Sequence, residues 1–343
     1  MSGARLFTNT TGAIPLNISH PYPEVKPWNY VSGISLVIFL AAVITNSVVL
    51  WLFIRHGHLR TPFTTYIMNL LVANLFNEIF QQPLTIISKL RTFSSLGTHF
   101  CTAFLYGSYI IHSLVYNSHF LITLNRIWAV THPVSYHQYH TRKVALCTCL
   151  AFWMYIHLVM LPGFIQDAMF YRIPLSQGCY IVKQTQYAWF VTEQLMLYDI
   201  PLASLILAYP LICFFEVRRR VRHNRLILAD TGDLSPHGRG SDSPASAVMG
   251  QQEPQRCKRA RKQSSTAFVV LTMLTLSNCL FMLPLTVEYN WSVFGGLGLK
   301  KLPGFYEISN MLFYSQAVFD PILFTLALTD LHATFQQTFG LPC

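Results

Sequence analysis

Arg126 ends an apolar stretch of the chain, in the run Leu124-Asn125-Arg126-Ile127-Trp128-Ala129-Val130-Thr131-His132-Pro133, and Asp320 sits in another, directly before Pro321. An ionisable group at such a place is costly unless it faces protein, water or a partner, so each marks a site of function. A guanidinium offers a planar fork of donors suited to a docking partner. A proline late in an apolar helix removes a backbone donor that neighbouring helices must replace. Catalytic patterns do not accompany them: the sequence has no phosphate-binding glycine loop, no His-Glu-x-x-His helix and no nucleophile motif. His137 and His140 form a metal pair only formally and read as part of a solvated loop. The chemistry on offer is recognition, with no enzyme activity, cofactor or metal expected.

The elements that must hold these groups are transmembrane. Of 343 residues, 52% are hydrophobic and 11% charged, against about a quarter charged in a soluble protein. Runs long enough to cross ~30 Å of hydrocarbon recur near 31–53, 66–87, 104–127, 144–164, 195–215, 267–289 and 306–328. The second and seventh are the least apolar, so their polar residues are expected to face the bundle. This predicts an all-α, seven-transmembrane helix bundle over 31–329, preceded by an extracellular tail, 1–30, with no cleavable signal peptide visible. Residues 216–265 form the one long connector. Its middle, rich in Gly, Ser, Pro and Asp, is expected to be disordered, and its flanks are basic. Residues 330–343 carry Leu331, Phe335 and Phe339 at four-residue spacing, a short amphipathic helix on the inner leaflet.

Lys and Arg concentrate on the side facing that connector, which places the N-terminus outside and the C-terminus inside. The sequons at Asn9 and Asn17 agree with this orientation, whereas Asn290 stands too near the membrane for use. The formal charge of +10 follows the positive-inside bias and faces anionic membrane lipid; no nucleic-acid module is present. Cys101 and Cys179 both fall on the oxidising side, and a disulfide between them would pin the second outer loop across the mouth of the bundle.

Taken in order, these marks resemble the rhodopsin-like (class A) G-protein-coupled receptors. Asn46 lies in the first span, Asn69-Leu70-Leu71-Val72-Ala73-Asn74 in the second, and Cys101 with Arg126 brackets the third. Trp153 and Pro162 mark the fourth, Pro201 and Tyr209 the fifth, Pro284 the sixth and Asp320-Pro321 the seventh. The resemblance runs from Asn46 to Phe339 and implies a plasma-membrane receptor. Arg126, Pro133 and Tyr209 would then meet a heterotrimeric G protein, and Asn74, Asn125, Met282, Pro284, Asp320 and Pro321 would form the conformational switch.

The departures from the family pattern carry consequences. The usual second-span Asp and seventh-span Asn are exchanged as Asn74 and Asp320, which leaves one amide and one carboxylate to meet across the two helices. With Val115 where a Ser often helps, no bound sodium ion is expected. Asn125 replaces the acid before Arg126, and Ser264 stands where the sixth helix usually supplies another. Arg126 thus lacks both carboxylates that would restrain it, which implies raised basal signalling. The opposite expectation, a decoupled heptahelical interaction partner, follows from Met282, Asn278 and Phe324 in place of the usual Trp, Phe and Tyr. A transporter is the further alternative, although no internal repeat is visible.

The ligand cleft is expected in the outer half of the bundle, lined by Ser108, Tyr109, His112, Glu193, Tyr289 and Tyr314. Ser108 stands where amine receptors of the family carry an Asp, and Tyr314 where opsins carry the retinal Lys. A conventional amine receptor and a retinal Schiff base are therefore not expected. Glu193 is the acid placed to meet a cation. The segments 171–175 and 178–183 flank a turn-prone Ser176-Gln177-Gly178 and suggest a hairpin lid. Peptide, lipid and small-molecule ligands all remain open at this stage.

Overall fold

The computed structural model describes residues 30–232, 272–295 and 304–340. Seven helices form the bundle: α1 (Tyr30–Arg55), α2 (62–90), α3 (93–131), α4 (Arg142–Tyr171), α5 (187–232), α6 (272–294) and α7 (Phe305–Ala327). The amphipathic α8 (Thr329–Phe339) leaves α7 at 99°. The sequons at Asn9 and Asn17 and the middle of the third inner loop lie outside the described residues.

Helices α1, α4 and the outer part of α5 (Tyr187–Phe215) are each long and apolar enough to cross a bilayer. Their outward faces are greasy: Val37, Leu40 and Ile44 on α1, and Leu150, Met154 and Leu158 on α4, are exposed. Helix α3 is the opposite case. Every residue from 111 to 119 is buried, which a helix achieves only when neighbours surround it on all sides. Six of those nine residues carry a polar group, namely His112, Ser113, Tyr116, Asn117, Ser118 and His119, so the axis of the bundle is largely polar and its side chains must find partners there.

The prolines show how that need is met. Pro321 has no N–H for the carbonyl of Ala317, one turn earlier, and Asn46 Nδ2 on α1 donates to that oxygen at 2.6 Å. Pro201 likewise frees the carbonyl of Leu197, which accepts from Asn117 Nδ2 on α3 at 3.1 Å. Asn46 of α1 and Asn117 of α3 are thus fixed by the broken backbone ladders of α7 and α5 respectively. Asn69 plays a third role: it donates to Ser118 Oγ at 2.8 Å and accepts from Trp153 Nε1 at 3.0 Å, tying α2, α3 and α4.

Four helices carry a π-turn toward the end where Cys101 and Cys179 are joined: Asn77–Gln81, Gly107–Ile111, Asp167–Tyr171 and Leu195–Asp199. Each inserts a residue into the ladder and re-aims the side chains beyond it, a device frequent at functional sites. Close packing supports the same end. A Cβ on Gly163 would stand 2.1 Å from the rigid indole of Trp189. Gly163→Ala is expected to lower stability by about 1–3 kcal/mol through overpacking, read as a fall in the thermal midpoint of the purified protein.

Two expectations need correction. Among the described residues no strand forms, so the outer loop is not a hairpin lid. A 3-10 turn at Leu175–Gln177 ends on Gly178 at φ 120°, and the chain is held instead by the Cys101–Cys179 disulfide, with Cα atoms 5.7 Å apart. The helices also outrun the apolar stretches, because backbone bonding continues beyond the hydrocarbon. Helix α3 runs continuously from just after Gly97, whose φ of 84° sets off a first turn at Phe93, rather than from near 104, and α5 starts at Tyr187 rather than near 195. Glu193 is therefore a helical residue more than one turn inside α5.

Candidate functional site

At the disulfide end, α3, α5, α6 and α7 enclose a cavity of 510 Å³. Tyr109, Glu193 and Tyr289, three of the six residues expected to line a ligand cleft, do line it. Ser108, His112 and Tyr314 lie outside its lining. Ser108 Oγ accepts from Gln81 Nε2 of α2 at 2.7 Å, and His112 Nε2 lies 3.2 Å from the Tyr314 hydroxyl, which also meets Thr85 Oγ1 at 3.2 Å. Those three residues bind α3 to α2 and α7.

The cavity wall is built from rings packed edge to face. Tyr198 packs on Tyr289 at 6.0 Å and on Tyr116 at 4.9 Å, its hydroxyl donates to the Tyr109 carbonyl at 2.9 Å, and Tyr109 packs on Phe190 at 6.2 Å. Glu193 is not the sole acid here. Glu288 of α6 and Glu307 of α7 line the same space, as does Lys183 of the outer loop, which donates to Ser292. Glu193 is 3% exposed and its Oε2 has no hydrogen-bond partner. Asp199, close by, is already occupied by the amides of Asn290 at 2.8 Å and Gln194 at 3.1 Å.

Midway along the bundle lies a polar junction. Asn74 Nδ2 donates to Asp320 Oδ2 at 3.2 Å and to Asn46 Oδ1 at 3.3 Å, so the exchanged amide and carboxylate of α2 and α7 do meet. His119 of α3, unmarked by any sequence argument, stands 3.1 Å from the same Asp320 oxygen. With Nε2–H donated to Asp320, its Nδ1 is free to accept from Asn278 Nδ2 at 3.4 Å, and Gln316 Nε2 donates to Asn278 Oδ1 at 3.0 Å. Helices α3, α6 and α7 are joined in this way. Above the junction Met282 is buried and falls at a break in α6 just before Pro284; its carbonyl accepts from the Tyr116 hydroxyl at 3.1 Å.

At the opposite end Arg126 rests on an aromatic ring, its guanidinium carbon 3.3 Å from the centroid of Phe63 on α2. Its Nε has no hydrogen-bond partner, and among the described residues no carboxylate pairs with it. Asn125, beside it, turns the other way. Its amide donates to His140 Nε2 at 2.9 Å and its oxygen accepts from the Tyr136 hydroxyl at 3.2 Å. Tyr136 belongs to a short helix, Pro133–Tyr139, that Pro133 opens. Tyr209 of α5 is half-buried.

His140 must be unprotonated at Nε2 to accept from Asn125. Burial, and after it the positive charge of Arg126, holds its pKa below the ordinary histidine value. The fold thus favours the neutral ring, so the stability it contributes is present above the ordinary value of about 6.5 and is lost as pH falls through the lowered one. The thermal midpoint is expected to stay level from neutral pH down to about 6.5 and to fall between there and the lowered value. His140→Gln, which keeps an acceptor, should remove this component of the acid sensitivity; identical pH profiles for the two proteins would exclude it.

The chain matches the 7 transmembrane receptor (rhodopsin family) description over residues 45–324. Among curated relatives it is 23% identical to a cholecystokinin receptor of Xenopus laevis, over 89% of this chain and 75% of that protein. It is 22% identical to a GQ-coupled rhodopsin of Mizuhopecten yessoensis, over 89% of this chain and 58% of that one. A melatonin receptor type 1A of Mus musculus is 25% identical over 52% of this chain and 51% of its own length. The chain therefore spans about half to three quarters of these relatives. Identities this similar to three differently named receptors point to a family and stop short of a ligand.

Proposed function

Because the chain belongs to the rhodopsin family of seven-transmembrane receptors, a family of receptors rather than enzymes, we propose that it binds an extracellular ligand in the cavity under the Cys101–Cys179 disulfide and activates a heterotrimeric G protein through Arg126. Its N-terminus would lie outside the plasma membrane, with Asn9 and Asn17 available for glycosylation. The observation that carries the reading is the state of Arg126: a guanidinium at the end of α3 opposite the disulfide, seated on the Phe63 ring with Nε unpartnered. A cation on a ring is held by about 0.5–2 kcal/mol, whereas breaking a buried carboxylate pair costs about 3–5 kcal/mol. Release of Arg126 toward a partner is correspondingly easier, which favours a raised basal signal. Pro133 and Tyr209 would complete the docking face.

A second reading draws on the Asn278 junction. The bonds from α6 to His119 and Gln316 would have to break for α6 to swing outward, and a receptor that kept them would be a decoupled interaction partner. Nucleotide exchange on a panel of G proteins, measured in membranes bearing the unliganded receptor, separates the two. Exchange above that of receptor-free membranes supports coupling, and a level equal to them across the panel supports the decoupled form.

A further inference from the structure

Three carboxylates, Glu193, Glu288 and Glu307, line one cavity with a single lining base, Lys183, among the described residues. That base donates to Ser292, its ammonium lies 5.9 Å from the centre of the Phe190 ring, and its charge reaches Glu193 without a hydrogen bond to Oε2. Glu307, at the mouth, also lies within electrostatic reach of Lys89 on α2. Glu193 is the acid that the fold leaves unsatisfied, with Oε2 buried and unbonded while its side chain lines the cavity. A buried carboxylate oxygen without a donor is costly, and a cationic donor is the partner that offsets the cost most.

The surroundings narrow the class of donor. Tyr109, Phe190, Tyr198 and Tyr289 present ring faces and edges around the space, a lining that attracts ammonium and guanidinium groups and packs an apolar body. Among the described residues, Lys183 is the one base an anionic ligand would meet in the lining; Arg172 of the outer loop is committed to buried Asp167 and to Thr102 Oγ1 at 3.1 Å.

We propose, resting on the receptor reading above, that this cavity takes an organic cation, its ammonium or guanidinium head seated on Glu193 and its apolar body among Tyr109, Phe190, Tyr198 and Tyr289. The head group differs in position from that of the family's amine receptors, since Ser108 of α3 is bonded to Gln81 and lies outside the lining. A primary or secondary amine and a peptide's arginine or N-terminus share this chemistry.

The test uses three probes of one shape and different charge: phenylbutylamine, phenylbutanol and phenylbutyrate. Each is added at millimolar concentration to the purified full-length receptor in detergent, and the thermal midpoint is followed. The amine is expected to raise the midpoint of the wild type by about 2–4 °C at tenfold excess over its dissociation constant, and the alcohol and the acid to leave it within error. Glu193→Gln should erase the amine shift and Glu193→Asp should retain part of it. The wild-type comparison stands even if a variant does not fold. An equal shift from phenylbutyrate, an amine shift surviving in Glu193→Gln, or no amine shift at all overturns the proposal. Ligand-free nucleotide exchange on the same preparations keeps the two readings apart. Exchange without an amine shift sinks the cation site alone, and an amine shift without exchange sinks the coupling alone.

Discussion

Arg126→Ala is expected to reduce ligand-independent nucleotide exchange to the level of receptor-free membranes while the protein still reaches the cell surface. The two halves of that expectation have separate causes. Folding depends little on the guanidinium, because its contact in the structure is a ring face on Phe63, worth about 0.5–2 kcal/mol, and no ion pair with a described carboxylate is lost. Coupling, under the proposed function, would depend on it, because no other described arginine or lysine is placed at that end of α3. Phe63→Ala should act in the opposite direction. Without its resting ring the guanidinium is freer to leave, and a loss of about 1.4 kcal/mol corresponds to a tenfold shift in the equilibrium, so basal exchange should rise between two- and tenfold. A fall in basal exchange with Phe63→Ala at matched surface expression would refute the idea that the ring is a restraint.

The second large effect is one of stability. His119→Ala should lower the thermal midpoint by about 3–12 °C, from the loss of about 1.5–3 kcal/mol for a hydrogen bond to a charged group. Asp320 is wholly buried and Oδ2 is the oxygen on which both His119 and Asn74 converge, Oδ1 having no partner. Removing the imidazole strips half of that support and also frees Asn278 from α3. A double-mutant cycle with Asp320→Asn isolates the contact. Coupling of about 1 kcal/mol or more is expected for groups in one network, and additive losses would show that the two residues do not act together.

The fold was readable in the chain because each mark stood against an apolar background. Arg126, Asp320, the two outer cysteines and the prolines are conspicuous for that reason, and their order along seven spans specifies the bundle. The partners of those marks were less accessible. Asn46 and Asn117 could be noticed as polar residues in spans, but only the structure shows that they cap the carbonyls freed by Pro321 and Pro201. His119 and Gln316 left no trace in the sequence argument, since a helix has no internal marker of which neighbour a polar residue faces; the crossing of α3, α6 and α7 decides it. Asn278 was visible only as a missing aromatic, yet it is a junction of three helices.

The outer cavity divides along the same line. Tyr109, Glu193 and Tyr289 were found from their depth in the spans, while Ser108, His112 and Tyr314 share that depth but face α2 or α7. The π-turns in α2, α3 and α5 change the facing of residues within a single turn, and periodicity cannot register them. Glu288 and Glu307 were missed although acids beside apolar helices are a usable signal. Glu78, buried in the π-turn of α2 with Oε2 unbonded, was missed in the same way.

Under the proposed function Arg126 is the coupling residue, and no adjacent acid restrains it. Asn125→Asp tests this most directly, because it returns a carboxylate beside the guanidinium while keeping an acceptor for Tyr136. Measured as ligand-free nucleotide exchange by purified receptor and G protein, the variant should show several-fold less basal activity than the wild type. Exchange equal to or above the wild-type level would contradict the account.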